Sequence, residues 1–465
     1  MGDDTFIHIG FIKDFASGNG FSFAGNRTYG STSPMWVILN TGLTKIIASP
    51  ELSVRILSAF FTLTTVYLLY IVLAKSNLDK IIILAAVLSL VLNPFFLRWA
   101  LTGMEATAAM SLLLYIYHLY FQKSNTQSKY PGGIVFGVAV LIRPEFLGFL
   151  IIFIVYALFK KSDSNRSFYL SLIIAIGIIF AWIIFSYFYF GTIIPNTYTA
   201  KAGDSITGFH FDNMIRTIKL FIAGNFPEFI LLVMILATAT FFSIRKKNQF
   251  KLFSFFKSVL IEKRLVLPLL WIAGFYIFYI IKDVTVISRY SLLLVPFIIF
   301  IVISYLDELQ KIIGSKFTYA ITALYFVSIV VVFVWMTFTV VKPASDDFVN
   351  GFQKTYHHIA SIIKEDSRHH NVSVALSDVG MIGCYSGARI YDLAGLVDEK
   401  RFDYKSYIDY LAADKPDYLI LREEHKLDDV LPSNVYTKIL FKKHIAGFGI
   451  NHANPRTVTL YKLSW

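Results

Sequence analysis

The chain has 465 residues, of which 56% are hydrophobic, with a mean hydropathy of +0.60 and a formal net charge of +12. This apolar fraction exceeds the roughly 45–50% usual in soluble domains, so the composition excludes a purely soluble protein. Residues 342–465 carry equal numbers of acidic and basic side chains, and the positive excess therefore belongs to residues 1–341. An excess confined to an apolar part is typical of membrane-protein loops and argues against nucleic-acid binding. The single cysteine, Cys384, excludes an intramolecular disulfide.

The first 50 residues combine an acidic pair with a segment rich in glycine and serine. Asp3-Asp4 is followed by Gly18-Asn19-Gly20-Phe21 and then by Gly30-Ser31-Thr32-Ser33-Pro34-Met35-Trp36. Residues of these types favour turns. Residues 34–48 are apolar but too short to cross a bilayer, which predicts an interfacial helix. We therefore predict that residues 1–50 form a loop carrying two adjacent carboxylates, followed by a helix on the membrane surface.

Residues 51–341 are predicted to form a membrane domain of about ten helices, because apolar runs of roughly 20 residues are typical of spans. Ten apolar segments occur here, at about 51–74, 80–97, 104–121, 131–143, 145–160, 168–189, 217–242, 264–282, 286–305 and 317–341. The fourth and fifth are short and separated by Pro144, so they form either two short spans or one helix broken at proline.

The distribution of Lys and Arg predicts the orientation. With ten spans and an outer N-terminus, the inner loops hold most of the positive charge, above all the basic stretch 245–264. A single span over 131–160 would turn that stretch outward, against the positive-inside rule, which favours two spans. The N-terminal loop and the C-terminal domain are then both extracytoplasmic.

Residues 342–465 are predicted to form a small soluble α/β or α+β domain. Strand-like runs at 372–376 and 418–421 alternate with helix-like stretches at 346–365 and 403–413. Asp378, Asp392 and Asp398 stand near glycines and are interpreted as turn-forming residues. The histidine pairs at 357–358 and 369–370 lack the spacing of metal ligands.

Charged residues stand at the outer ends of several predicted spans, where ionisable groups are costly and often functional. They are Glu105, Arg143, Glu145 and Arg289. Each also has a structural explanation, because the helix dipole stabilises glutamate in a first turn and arginine snorkels to the interface. The outer loop 190–215 adds Pro195-Asn196-Thr197-Tyr198-Thr199-Ala200-Lys201, which is either a structured loop or a source of cationic and hydrogen-bonding groups at the membrane surface.

Taken in order, these motifs resemble the GT-C superfamily of glycosyltransferases that use polyprenyl-phosphate-linked sugars. The similarity is to its arabinofuranosyltransferase-like and mannosyltransferase-like bacterial members. It rests on the acidic pair with its two follower segments, Trp99 to Glu105, Arg143-Pro144-Glu145, Pro195 to Lys201, Arg289-Tyr290 and Ser377 to Asp398. Met35, Thr102 and Ala106 depart from the family pattern.

The resemblance implies a polytopic α-helical membrane protein of GT-C type with a small C-terminal extracytoplasmic domain. Its activity would transfer a sugar from a polyprenyl-phosphate donor to a glycan, lipid or protein acceptor, with inversion, on the outer face of the bacterial inner membrane. Asp3 or Asp4 would deprotonate the acceptor hydroxyl. A divalent cation between an acid and the phosphate is the alternative use of the pair; no further cofactor and no nucleic-acid partner are expected.

The resemblance also implies roles for the other motifs. The expected donor-phosphate ligands are Lys201, Arg289, Asn196 and Tyr198, and the expected supporting residues are Arg143, Glu145, Glu105 and Tyr290. In this family a first membrane helix precedes the acidic loop, so we expect such a helix upstream of Met1, the alternative being a natural start with an outer N-terminus.

Two other classes of protein share many spans and buried charges. A transporter or flippase of lipid-linked sugars would show inverted repeats and broken midplane helices, whereas the polar motifs here gather at one predicted face. A non-catalytic envelope scaffold would be expected to lose the acidic pair, which is present. Both observations favour the glycosyltransferase.

Overall fold

The computed structural model describes residues 1–122, 130–159, 166–202, 210–245, 252–282, 284, 286–423, 425–447 and 455–465. The α-helices in chain order are α1 Asp3–Ala16, α2 Pro34–Ile47, α3 Pro50–Lys75, α4 Lys80–Val91, α5 Pro94–Ala100, α6 Ala106–Tyr117, α7 Tyr130–Ile142, α8 Glu145–Phe159, α9 Arg166–Phe190, α10 Asn196–Ala202, α11 Phe211–Gly224, α12 Phe226–Arg245, α13 Leu252–Glu262, α14 Val266–Ile281, α15 Ser288–Ser291, α16 Val295–Ile313, α17 Ser315–Met336, α18 Lys342–Phe348, α19 Lys354–Ser367, α20 Val379–Tyr385 and α21 Tyr407–Asp414. The strands are β1 Ser22–Phe23, β2 Asn26–Arg27, β3 Ser373–Leu376, β4 Arg389–Asp392, β5 Tyr418–Arg422, β6 Tyr436–Ile445 and β7 Arg456–Ser464.

The chain divides into two compact units. The first, here called the soluble-domain unit, comprises Met1–Ile56, Trp182–Asp204 and Phe338–Trp465. The second, the helical unit, comprises Leu57–Ala181 and Ser205–Thr337. The last division falls close to the predicted domain boundary at residue 342, while the N-terminal residues group with the C-terminal domain rather than standing alone.

The acidic pair opens a helix, and the prediction that it lies in a loop was wrong. Helix α1 buries Thr5 through Ile12 without interruption, because its apolar side chains enter a core shared with the C-terminal domain. Its first turn carries Asp3 and Asp4 and its last turn carries Lys13, so both ends have the charge that the helix dipole favours. The predicted helix at 34–48 is present as α2.

A five-stranded mixed sheet in the order β4-β3-β5-β7-β6 forms the centre of the soluble-domain unit. Strand β3 pairs in parallel with β4 and β5, and β7 pairs antiparallel with β5 and β6. Side chains alternate between faces with the period of two expected for a strand. In β5, Tyr418 and Ile420 join the core that contains α1, whereas Leu419 and Leu421 join the core that contains α21. The sheet is therefore covered on both faces, and the prediction of a small α/β or α+β domain is confirmed.

The helical unit is built around α16. Residues 295–303 of this helix are buried on every side, which is expected for an apolar helix enclosed by others. It packs against α4, α12 and α17. These neighbours share the buried carboxylate of Glu228, which accepts hydrogen bonds from Ser89 and from Tyr325, the latter at 2.8 Å.

The described residues contain four helices long and apolar enough to cross a membrane: Pro50–Lys75, Ser167–Phe190, Phe226–Arg245 and Ser315–Ser367. Two further pairs of helices, bent by 56° and 97°, raise this number to six if each pair is one span. A helix lies within each of the ten predicted segments, but several are short. Helices α7 and α8 have 13 and 15 residues, because Pro144 separates them.

The predicted inner loop 245–264 differs from expectation in its second half. Residues Leu252–Glu262 form α13, which turns sharply into α14. Lys246, Lys247 and Lys251 of the same stretch lie outside the described residues. The orientation of the chain across the membrane stays a prediction.

Candidate active site

The carboxylate of Asp3 binds the N-terminus of α20 in the soluble-domain unit. Its Oδ2 accepts a hydrogen bond from the backbone N–H of Gly380 at 3.0 Å, and its Oδ1 accepts one from Met381 at 3.1 Å. Residue 380 must be glycine for this approach, because a Cβ atom there would collide with the backbone oxygen of Asp3. Both oxygens of Asp3 thus serve to join α1 to the C-terminal domain.

Asp378 brings a third carboxylate into the neighbourhood of the acidic pair. Its Oδ2 accepts a hydrogen bond from the Tyr356 hydroxyl at 2.9 Å and lies 3.6 Å from Nε of Arg422. It is also within electrostatic range of Asp3 and Asp4. The sequence interpretation of Asp378 as a turn-forming residue did not predict this position, because the contact depends on the packing of α1 against α20.

The three acidic side chains, Asp3, Asp4 and Asp378, form what we call the carboxylate cluster. Burial, followed by the negative charge of Asp378, raises the pKa of Asp3 to about 8, although the backbone N–H groups of residues 380 and 381 lower it. Burial also raises the pKa of Asp378, with Arg422 acting in the opposite direction and Asp4 adding to the rise. Neighbouring carboxylates that cannot all ionise share protons as one system. The cluster therefore exchanges a proton closer to neutral pH than an isolated aspartate does.

Asp392 and Asp398 stabilise a turn, as the sequence pattern predicts. The fully buried carboxylate of Asp392 accepts hydrogen bonds from the backbone N–H groups of Ala394 and Val397, both at 2.8 Å. The carboxylate of Asp398 accepts one from Lys400 N at 3.2 Å and one from the Tyr410 hydroxyl at 2.7 Å. Both residues hold the turn after β4.

Three of the predicted donor-phosphate ligands lie on α10, and the structure gives them different surroundings. Asn196 is buried, and its side-chain amide donates a hydrogen bond to Thr28 Oγ1 at 3.0 Å while its backbone N–H binds Tyr29 O at 2.9 Å. Tyr198 is 45% exposed. Lys201 belongs to the same helix, but the placement of its side chain lies outside the described residues. Asn196 thus fixes the start of α10, two residues before an exposed tyrosine.

The helical unit brings the predicted supporting residues together around Arg143. The Arg143 guanidinium lies 3.2 Å from Glu105 Oε1 and 2.8 Å from Glu145 Oε1, and all three side chains are largely buried. The Tyr279 hydroxyl donates a further hydrogen bond to Glu145 at 3.0 Å. Arg143 therefore neutralises two buried carboxylates, which makes it the centre of an ion-pair network.

Arg289 and Tyr290 lie beside this network. The Arg143 guanidinium carbon is 5.0 Å from the centre of the Tyr290 ring, and that of Arg289 is 5.2 Å from the same ring and 5.7 Å from the ring of Trp99. The Trp99 indole donates a hydrogen bond to Ser288 Oγ at 2.9 Å. Three motifs that are far apart in the chain thus form one cluster, held by cation–π and ion-pair contacts.

A divalent cation finds no ready set of protein ligands. Across the described ranges, no group of three or more His, Cys, Asp or Glu side chains has metal-binding geometry. In the carboxylate cluster, both oxygens of Asp3 accept backbone hydrogen bonds, and Asp378 Oδ2 accepts one from Tyr356 and lies 3.6 Å from Arg422. The arrangement of the cluster suits proton transfer by a carboxylate better than metal coordination.

Residues 31–188 match the family model described as dolichyl-phosphate-mannose-protein mannosyltransferase. The fold is similar to that of the crystal structure of ArnT from Cupriavidus metallidurans in the apo state, with a TM-score of 0.57 and 12% identity, over 98% of this chain and 93% of that chain. Both similarities support the resemblance to the GT-C superfamily that the motifs indicate.

The C-terminal part of the chain matches a second family model, and one further comparison concerns the whole chain. Residues 348–461 match a family model described as a domain of unknown function. A search of the curated proteins finds no match. The matched segment 31–188 contains Glu105, Arg143 and Glu145, whereas the carboxylate cluster is divided between the N-terminal helix and the segment 348–461.

Proposed function

We propose that this protein transfers a sugar from a polyprenyl-phosphate donor to a hydroxyl group of an envelope glycan, lipid or protein on the outer face of the bacterial inner membrane. The acceptor oxygen attacks the anomeric carbon, the bond between that carbon and the phosphate oxygen breaks, and polyprenyl phosphate leaves. Direct displacement of this kind inverts the anomeric configuration. The superfamily, the membrane helices and the carboxylate cluster all support this activity.

Asp4 is the proposed general base. Asp3 has both carboxylate oxygens engaged by the backbone of α20, which makes it a positioning residue. Asp4 follows it in the first turn of α1 and feels the negative field of Asp3 and Asp378. The proton of the acceptor hydroxyl passes to the Asp4 carboxylate as the oxygen attacks.

Arg289, Lys201 and Tyr198 are the proposed ligands of the donor phosphate. A guanidinium binds phosphate oxygens in a bidentate manner, and the planar group of Arg289 is already oriented by Trp99 and Tyr290. Cations and hydrogen-bond donors stabilise the charge that develops on the leaving phosphate. Arg143, Glu105 and Glu145 support this role indirectly, because their ion-pair network contacts Tyr290.

The observation that carries the proposal is the fixed position of the acidic pair. A solvated acidic terminus would leave Asp3 and Asp4 mobile, whereas here two backbone hydrogen bonds and a buried helix hold them beside a third carboxylate. Clustering of like charges lowers stability, and it is a recognised sign of a functional site.

Mass spectrometry of envelope glycans and glycolipids tests the proposal in strains that carry the wild-type gene, a deletion, or the deletion complemented with Asp4→Asn. We expect one sugar mass to disappear in the deletion and in the Asp4→Asn strain, with the unmodified acceptor accumulating. Complementation with Asp346→Asn, a change at an exposed carboxylate of α18, should restore the sugar. Full restoration by Asp4→Asn would exclude Asp4 as the base.

A further inference from the structure

An open groove lies beside the N-terminus of α1 in the soluble-domain unit. Its volume is about 530 Å³, within the range of roughly 300–1,000 Å³ that small-molecule sites occupy. Phe6 of α1 and Met381 of α20 supply apolar walls. The backbone N–H of Met381 is the group that binds Asp3. The groove therefore adjoins the carboxylate cluster through a single residue.

A second contact links the groove to the start of α1. Gln353, another lining residue, donates a side-chain hydrogen bond to the backbone oxygen of Met1. The groove is thus bounded by the residues that hold Asp3 and Asp4 in place. A molecule bound there would lie beside the residues that anchor the start of α1.

The rim of the groove is basic. Lys354, His357 and His358 line it from one side of α19, where spacings of three and four residues bring side chains onto the same helix face. No acidic side chain is among the described residues that line it. The Lys354 ammonium donates to the neutral amide oxygen of Asn350 at 2.9 Å, so its charge is not cancelled by that contact.

The two histidines are held in place by aromatic side chains. The ring of His357 is centred 6.0 Å from that of Tyr385, and the ring of His358 is centred 5.1 Å from that of Phe441. Their exposed edges are thereby presented as hydrogen-bonding groups rather than as metal ligands, for which no partner side chains exist among the described residues. Apolar walls with a basic, hydrogen-bonding rim match a saccharide that carries a negative charge.

We propose that this groove binds the acceptor, and that the acceptor presents an anionic saccharide to it. The proposal rests on the glycosyl transfer proposed above and adds to it the site and the charge of the acceptor. Lys354 binds the phosphate or carboxylate group, His357 and His358 bind hydroxyl or anionic oxygens, and Phe6 and Met381 contact the apolar face of the sugar ring.

Binding of glucose 1-phosphate and of glucose to the full chain in phosphatidylcholine nanodiscs tests the proposal, with saturation-transfer NMR as the readout. We expect glucose 1-phosphate to bind more tightly than glucose. Lys354→Glu should weaken its binding about tenfold, and His357→Ala with His358→Ala should weaken it less. Lys364→Glu, a change at an exposed lysine of the same helix outside the groove, should leave binding within about twofold.

Three outcomes would overturn the proposal. Equal binding of glucose and glucose 1-phosphate would show that the groove does not select charge. Equal losses from Lys354→Glu and Lys364→Glu would place the ligand elsewhere. Loss of glucose 1-phosphate binding in phosphatidylglycerol nanodiscs would show that a lipid headgroup fills the groove.

The envelope analysis keeps this proposal separate from the transferase itself. If Asp4→Asn abolishes the sugar and Lys354→Glu leaves it unchanged, the transferase stands and the acceptor groove is wrong. If Lys354→Glu weakens glucose 1-phosphate binding and the deletion removes no sugar from the envelope, the groove binds an anionic saccharide but the proposed transfer is wrong.

Discussion

Replacing Asp3 by alanine should destabilise the protein, because the backbone N–H groups of Gly380 and Met381 are buried and lose their acceptor. Loss of a helix N-cap costs about 0.5–2 kcal/mol, and a buried donor left without a partner costs about 1–3 kcal/mol. Relief of repulsion from Asp378 offsets part of this, so we expect a net loss of about 2 kcal/mol. In a unit of about 200 residues this lowers the unfolding midpoint by about 4–8 °C.

Thermal unfolding of the detergent-solubilised full chain, followed by tryptophan fluorescence, measures this change. Asp346→Ala is the matched control, since Asp346 is exposed and lies in the same unit, and its midpoint should stay within about 1 °C of the wild type. Asp3→Asn keeps one oxygen acceptor and should recover part of the loss. An Asp3→Ala midpoint equal to that of the control would refute the anchoring role of Asp3.

The raised pKa of Asp3 predicts that the unfolding midpoint depends on pH, which the same assay measures. The folded-state pKa of Asp3 is raised to about 8, so the folded protein binds a proton that the unfolded chain releases near its ordinary value. The associated stability is complete below about pH 4 and is lost as the pH rises toward 8. The wild-type midpoint should therefore fall over that interval, and Asp3→Ala should flatten the fall. An equal slope in both proteins would contradict the assigned shift.

The remaining predictions concern single side chains. Arg143→Gln leaves two buried carboxylates without their counter-charge and should lower the free energy of unfolding by about 3–5 kcal/mol. We expect less monodisperse protein in size-exclusion chromatography. An elution profile equal to that of the wild type would contradict the structural role of the ion-pair network. Arg289→Ala should lower sugar transfer in the complemented strain by at least about a hundredfold. The control Arg98→Ala also removes a guanidinium beside Trp99 and should change the transfer little. Equal effects of the two variants would exclude a role of Arg289 in binding the phosphate. Asp392→Ala deletes two backbone hydrogen bonds and should lower the unfolding free energy by about 2–4 kcal/mol, measured by denaturant titration, and an unchanged free energy would show that the turn does not depend on it.

The membrane helices and the soluble sheet were predictable from the sequence because their signals are local. Apolar runs predict helices wherever they exceed a few turns, and the alternation in β3 and β5 follows from the opposite faces of a strand. The length of each helix was less predictable. The breaks at Pro144, after α4 and after α13 shorten several helices, so within the described part of the chain the ten predicted segments contain four to six helices of spanning length.

The site was predictable as a set of motifs but not as an arrangement. Arg143-Pro144-Glu145 and Arg289-Tyr290 were identified from their residue types, yet only the packed helices show that Arg143 binds Glu105 as well as Glu145. The short distance between two charges in one motif follows from the sequence, whereas a contact across 38 residues requires the fold.

The sequence by itself predicted a polytopic helical protein with a small C-terminal sheet domain, its resemblance to the GT-C superfamily, and the acidic pair as the leading catalytic candidate. Only the tertiary structure decided that the pair opens a buried helix, that Asp3 binds α20, and that Asp378 completes the carboxylate cluster. The physical reason is that polarity along the chain reports which side chains avoid water or lipid. The partner of a buried carboxylate depends instead on the packing of α1 against the sheet. This packing brings together residues more than 370 positions apart in the chain.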